Sequence, residues 1–283
     1  MEEKKYKLLE DETIEVDGHT LYRIEALRDF GCVRKGYKGG FVESEKNLSH
    51  EDNCWVYDDA CVYGNARVYG NAGVYENARV YEDTEVCGVA KVFGRAEVYG
   101  DARVYDNARV YENARVYEDT EVCGVAKVFG RAEVYGDARV YDNARVYENA
   151  RVYDNACVYG SVEVYGDAEV YGYARVHSNA RVCGEAEVYG YAEVHGIAEV
   201  HGDAEVGRDA IVSDEEDYIV FKNWWSSGRY FTWTRSNNMW KVGCFYGTGE
   251  ALIKKAYADS ERSGCEYERI VKYVEEILRD ERE

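Results

Sequence analysis

Four cations recur at a fixed interval. Lys91, Arg109, Lys127 and Arg145 stand 18 residues apart, each followed two positions later by a ring: Phe93, Tyr111, Phe129 and Tyr147. Arg95 and Arg131 follow the two Phe residues. Cations interleaved with rings suit a ligand that carries phosphate beside a planar group, because the charges neutralise the anion while a ring stacks. For proton transfer the residues of interest are His177, His195 and His201, the first two also 18 apart. A third group, Trp224, Trp225, Arg229 and Arg235, could engage a planar or anionic partner. The alternative is that a small terminal core requires large rings to fill it.

What positions these residues is a repeat of six. Val occupies every sixth position from Val56 to Val212, 27 times without insertion or deletion, and the slot two residues earlier is Ala in 23 of them. The unit is Ala-x-Val-Tyr-x-Asn. Successive side chains of a strand point to opposite faces, so Ala and Val share the inside while x and Tyr share the outside. The remaining positions favour Gly, Asn and Asp, which tolerate positive φ and close corners. Three strands and three corners make a coil of 18 residues, stacked on the next at about 4.8 Å. Residues 77–112 reappear unchanged as 113–148. That duplication adds two whole coils and leaves every side chain's direction intact.

This pattern resembles the hexapeptide-repeat, left-handed parallel β-helix family over residues 54–213. The resemblance implies a mainly β fold: about nine 18-residue coils in a left-handed helix, a hand that the spacing does not supply. It also implies trimers of parallel rods. In acyltransferases of the family a His between subunits acts as general base while a hydroxyl or amine attacks an acyl thioester, which would give His177, His195 or His201 that role with acyl-CoA as cofactor. Family carbonic anhydrases bind zinc there with three His. Against both, no loop interrupts the hexads to enclose a substrate, and these His occupy the slot where other hexads carry Tyr. The expectation is therefore no catalytic residue, no metal and no cofactor. Tyr after Val, in 17 of 27 hexads, departs from the family's small or acidic residue.

Folded into three faces, the repeat produces columns. Tyr63, Tyr81, Tyr99, Tyr117, Tyr135, Tyr153, Tyr171 and Tyr189 form one, expected to lie against a second copy of the chain because a long exposed aromatic strip marks an interface. The position before Val gives charge ladders: Arg79, Glu97, Arg115, Glu133, Arg151, Glu169 on one face and Arg67, Glu85, Arg103, Glu121, Arg139 on another. Opposite charges one coil apart specify register, since a one-coil slip sets like against like. The column of Lys91, Arg109, Lys127 and Arg145 breaks that alternation. It is a ligand strip unless Glu112 and Glu148 at nearby corners neutralise it or it faces an acidic subunit.

The net charge of −20 argues against general affinity for nucleic acid or anionic membrane. No apolar stretch approaches the roughly 20 residues of a membrane span, and the opening Met-Glu-Glu-Lys-Lys is not a signal peptide. Nine Cys with no pair one coil apart read as free thiols. These features point to a cytoplasmic protein. Residues 1–41, with Asp17-Gly18 between alternating apolar residues, read as a β-hairpin cap; 42–213 as the helix; 214–283 as a small Trp-rich α+β domain with two strands and helices near 249–260 and 266–280. Both flanks resemble those of phage and prophage hexapeptide-repeat proteins of unassigned activity, and that resemblance implies the cytoplasm of a bacterial host. The function expected is binding or scaffolding toward a protein or small anion, with sequestration of a host factor or signalling nucleotide suggested by that resemblance; the alternative is acyl transfer.

Overall fold

The computed structural model describes residues 4–280; the outer ends of the first and last expected domains, and most of the expected leader-free start, lie outside them. From Trp55–Val56 to Ile211–Val212 each hexad forms one two-residue strand and one corner, and the strands stack as three parallel sheets. Pairing is in register at an offset of 18, as in Arg103 with Glu121 and Val104 with Val122. Every Val from Val74 to Val212, and every Ala slot between them, is fully buried. Thr84 and Thr120 sit in Ala slots at no polar cost, because each hydroxyl donates to the carbonyl three residues back, at 2.8 and 2.7 Å. The protein is a β-solenoid.

The solenoid begins earlier than the Val pattern shows. Strand β1 (Tyr6–Val16) and β2 (His19–Ala26) form a hairpin through Asp17-Gly18, and β2 pairs with β3 (Lys38–Val42). β3 then pairs in parallel with Cys61–Val62, and Leu48 bridges to Val68. There are thus about ten turns, not nine, and β3 lies across position 41/42. The pattern hides this turn for two reasons. Gly40 replaces Ala, since a Cβ there would stand 2.5 Å from the Ala60 carbonyl oxygen. Eight residues, not six, separate Leu48 from Val56. The extra backbone is satisfied from inside: the buried Lys5 ammonium donates to the Glu51 and Cys54 carbonyls at 3.1 and 3.0 Å. Trp55, Phe30, Tyr6 and Ile24 close this end of the core.

At the other end Asp214 caps a 3-10 turn, Glu215–Asp217, and Tyr218 closes the core, its hydroxyl donating to the Glu199 carbonyl at 2.8 Å. The C-terminal unit is a four-stranded antiparallel sheet followed by helices α1 (Gly249–Asp259) and α2 (Glu261–Asp280). The sheet has strands at 218–222, 230–234, 239–242 and 245–247, twice the number expected. Its separate core packs Trp225, Phe231, Trp233 and Trp240 against Leu252, Tyr267, Val271 and Val274.

The corners carry a two-coil code. Along one corner the positive-φ position runs Gly64, Glu82, Gly100, Glu118, Gly136, Asp154, Gly172, and the other two corners alternate likewise through their middles. Each acid of that corner accepts from the backbone N–H of the glycine one coil on, Glu82 from Gly100 and Glu118 from Gly136 both at 2.7 Å and Asp154 from Gly172 at 3.2 Å, and on another corner Glu148 accepts from Gly166 at 2.9 Å. A Cβ on Gly100 would lie 2.6 Å from the Glu118 nitrogen, so the acceptor must be glycine. Corner and charge alternation both have a period of 36 residues, the length of the duplication. Deleting residues 113–148 should therefore leave a folded, shorter solenoid. Deleting residues 95–112 removes one coil and sets Arg79 on Arg115, Glu85 on Glu121 and Glu82 on Glu118. That longer protein should melt several degrees below the 36-residue deletion, at about 2 to 4 °C per kcal/mol lost; thermal unfolding followed by circular dichroism checks the order.

Candidate functional site

Three faces follow from the stacking, and each carries its own columns. On the tyrosine face the rings of the ladder are parallel, with Tyr99 and Tyr117 centroids 4.9 Å apart and 2° between planes. Burial in the stack pushes the phenols of Tyr81, Tyr99, Tyr117, Tyr135, Tyr153 and Tyr171 up, so they remain donors. Tyr153 and Tyr171 donate to Glu169 and Glu187 at 2.8 and 2.9 Å. The expected charge ladder runs beside them: Arg115 lies 3.7 Å from Glu97 and 3.4 Å from Glu133, and Arg151 3.1 Å from Glu169. On the second face Arg67 pairs with Glu85, and both Arg103 and Arg139 with Glu121, at 3.4 to 3.8 Å.

Where alternation stops at the ends of the tyrosine face, the chain's own flanks supply the counter-charge. Arg79 pairs with Asp17 of the hairpin at 3.6 Å, and the same carboxylate accepts from Tyr63 at 2.8 Å. Leu21, Ile14 and Val16 cover Tyr63 and Tyr81. At the far end Glu169, Glu187 and Glu205 follow one another without a cation. Here Lys241 of the C-terminal sheet pairs with Glu205 at 2.9 Å and stands over the Tyr189 ring at 5.5 Å. Of the eight ladder tyrosines, Tyr63, Tyr81 and Tyr189 are thus engaged by the flanks, and among the described residues Tyr99, Tyr117, Tyr135, Tyr153 and Tyr171 make no hydrogen bond or ring contact to either flank. Neither docking contact was visible in the sequence, although the run of three acids one coil apart marked where one of them falls.

The basic face is different. Lys91, Arg109, Lys127 and Arg145 are brought into one column by in-register pairing. Arg145 finds Glu163 at 3.1 Å. Among the described residues Lys91, Arg109 and Lys127 make no ion pair, and neither do Arg95 and Arg131 at the adjoining corner. Glu112 and Glu148 do not neutralise the strip; the Glu148 carboxylate accepts from a backbone N–H instead. Beside the cations Phe93, Tyr111, Phe129 and Tyr147 stack at 4.8 to 4.9 Å. A groove of about 320 Å³ at the start of the strip is lined by Tyr75, Phe93, Lys91 and Arg109 together with two acids, Asp58 and Glu76.

The histidines are not gathered into one cleft. His177 and His195 stack at 5.2 Å on the second face, and His201 is on the basic face beside Tyr218. Both ring nitrogens of His177 are occupied, Nε2 by Glu193 at 2.8 Å and Nδ1 by Ser178 at 3.1 Å. That hydrogen bond holds the Glu193 carboxyl below its ordinary range. Among the described residues no group of three His, Cys, Asp or Glu side chains is placed to hold a metal ion. All nine cysteines are free. In the terminal domain Trp224 and Trp225 lie in a turn and not in a strand; Trp224 is 66% exposed with Arg262 5.9 Å away, and Trp225 is in the core. Arg235 is held within its domain, donating to the Glu216 carbonyl at 3.1 Å, whereas Arg229 is exposed beside Glu187 and Glu205.

Stacked columns on three parallel sheets define a β-solenoid repeat protein. Five stretches of the chain, residues 60–76, 96–112, 102–118, 132–148 and 138–152, match the YdcK beta solenoid repeat. All five lie within the hexads, so this similarity concerns the repeat and leaves both flanks aside. No curated protein matches the chain.

Lys241→Met leaves Glu205 half-buried without its partner, at an expected cost of about 1 to 3 kcal/mol. Hydrogen exchange should rise in the C-terminal sheet and at Tyr189, while the middle coils stay protected; unchanged exchange in that sheet counts against the dock.

Proposed function

We propose that this β-solenoid is a non-catalytic binding or scaffold protein, and that a small anionic ligand lies along Lys91, Arg109, Lys127 and Arg145. The observation that supports this is the uncompensated charge. Elsewhere an outward cation in the coils commonly meets an acid one coil away, or one supplied by a flank. The run Lys91, Arg109, Lys127 has neither among the described residues, on a chain of net charge −20. Three like charges about 4.8 Å apart along a column repel one another, and an anion spanning them would relieve that repulsion. The adjoining ring ladder offers a planar group a stacking edge. The duplication doubled the Lys-x-Phe-x-Arg element, which lengthens a binding surface but adds little to a catalytic centre.

Origin in a phage or prophage, and a role in sequestering a host factor or signalling nucleotide, are readings that rest on resemblance of the flanks. Assembly into a trimer through the free part of the tyrosine ladder belongs to the same proposal. Acyl transfer has less support, because His177 has no free ring nitrogen and His201 stands on a different face from His177 and His195.

Mass spectrometry of small molecules released from the purified protein should reveal an anion. The triple variant Lys91→Gln, Arg109→Gln, Lys127→Gln should release at least tenfold less, and deletion of 113–148 should lower the amount bound per chain. Equal recovery from all three proteins rules out the strip. Acetyl transfer to an acceptor panel that disappears in His177→Ala or His195→Ala would establish the enzyme reading instead. For assembly, Tyr99→Ser, Tyr117→Ser and Tyr135→Ser together should convert an oligomer to monomer in light scattering; a wild type already monomeric at micromolar concentration refutes it.

A further inference from the structure

A second break in the alternation lies on the face that carries His177, independent of the basic strip. Its column runs Arg67, Glu85, Arg103, Glu121, Arg139, Cys157, Arg175, Glu193, paired in register throughout. The alternation calls for an acid between Arg139 and Arg175, and Cys157 stands there. Arg139 reaches back to Glu121 at 3.8 Å, but has no acid on its Cys157 side. Arg175 makes no ion pair within 4 Å among the described residues; its charge acts on the neighbouring Glu193 carboxylate, which is hydrogen-bonded to His177 at 2.8 Å. The Cys157 thiol is directed to the Asn155 carbonyl at 3.9 Å and neutralises neither. Two guanidinium groups therefore flank a small, uncharged side chain, about 9.6 Å apart along the column.

A wall stands beside this gap. At the adjoining corner, where other hexads carry Asn or Asp, Tyr173 and Tyr191 project outward, 54% and 72% exposed, and stack at 5.0 Å with 5° between planes. Rings this exposed contribute little to the fold. One coil before Tyr173 the corner position is Asn155, so the ring column stops at the level of Cys157. Arg139, Cys157, Arg175, Asn155, Tyr173 and Tyr191 line one groove of about 510 Å³ together with two acids, Asp137 one coil before Asn155 and Glu193, whose carboxylate is hydrogen-bonded to His177.

We infer that this groove binds a small aromatic anion of the aryl phosphate class. The ring continues the Tyr191–Tyr173 column over Asn155, and the phosphate lies between Arg139 and Arg175 in the space that an acid at 157 would fill. Stacking on one tyrosine contributes modestly, and the charge-assisted hydrogen bonds from two guanidinium groups contribute more. A free ring without the anion, or an anion without the ring, meets only half of the site.

Phenyl phosphate, inorganic phosphate and phenol, each titrated calorimetrically into the full-length protein, test this. Phenyl phosphate should bind at least about tenfold tighter than either fragment, a difference of 1.4 kcal/mol. Arg175→Gln and Cys157→Glu should each weaken it by about tenfold or more, the latter because it restores the alternating acid. Tyr173→Ser should abolish the preference over inorganic phosphate. Cys157→Ser should bind as the wild type does, which separates loss of the gap from loss of the thiol. Binding should persist when Lys91, Arg109 and Lys127 are changed to Gln, so failure of the basic strip does not touch this site. No binding of phenyl phosphate at millimolar concentration, or equal affinity in wild type and a folded Cys157→Glu, overturns the assignment; loss in the Lys91, Arg109, Lys127 variant instead places the probe on the basic face.

Discussion

In this protein each backbone N–H before a core Val donates to the carbonyl of the Ala slot one coil on, as Arg115 does to Ala132 at 2.9 Å. The residue after Val does the same to the next Val, as Tyr117 to Val134 at 3.0 Å. These bonds leave no freedom of register. Residue i is held beside residue i+18 whatever its side chain, and an outward side chain cannot avoid its counterpart. Like charges repel along the column, opposite charges attract, and rings stack. The inside needs only Ala and Val to fill it. The outside must solve a separate problem at every level, and its solutions are visible as Arg–Glu alternation, tyrosine stacks and acid-to-glycine corners.

This constraint makes exceptions informative. Two of them are resolved within the chain: Asp17 of the hairpin answers Arg79, and Lys241 answers Glu205. Both sit at an end of the tyrosine face, where a flanking element folds back onto the coils. The other two, at Lys91–Lys127 and around Cys157, lie in the middle of the solenoid, beyond reach of either flank. The same physical requirement, a counter-charge supplied from outside the column, then points to a partner that is not part of this chain. Isolated surface ion pairs are weak, typically 0 to 1 kcal/mol. Runs of charge that coincide with ring-lined grooves carry more weight than any single pair.

The solenoid was legible because Val and Ala recur without interruption and Gly, Asn and Asp mark the corners. The columns followed from that period alone. What escaped was whatever departs from it. The first turn was hidden by Gly40 and by the two extra residues before Val56, whose carbonyls take Lys5 from a distant part of the chain. The C-terminal sheet has twice the expected strands because its hairpins are short and Trp224-Trp225 turns a corner within what reads as a strand. Cys157 and Tyr173 were individually visible, but their juxtaposition needs both the face and the corner to be placed. The corner alternation of glycine and acid could have been read directly, since its period equals that of the duplication.

The central claim is that uncompensated cations on an otherwise alternating surface await an anion. It is tested most directly by melting the wild type and the Lys91→Gln, Arg109→Gln, Lys127→Gln variant in rising pyrophosphate, with chloride controls at matched ionic strength. Pyrophosphate is expected to raise the wild-type midpoint in proportion to the logarithm of its concentration, as binding to the folded state requires, and to move the variant far less, since the Arg139–Arg175 gap holds an anion without a ring only weakly. The same rise in both proteins, or none in either, would contradict it.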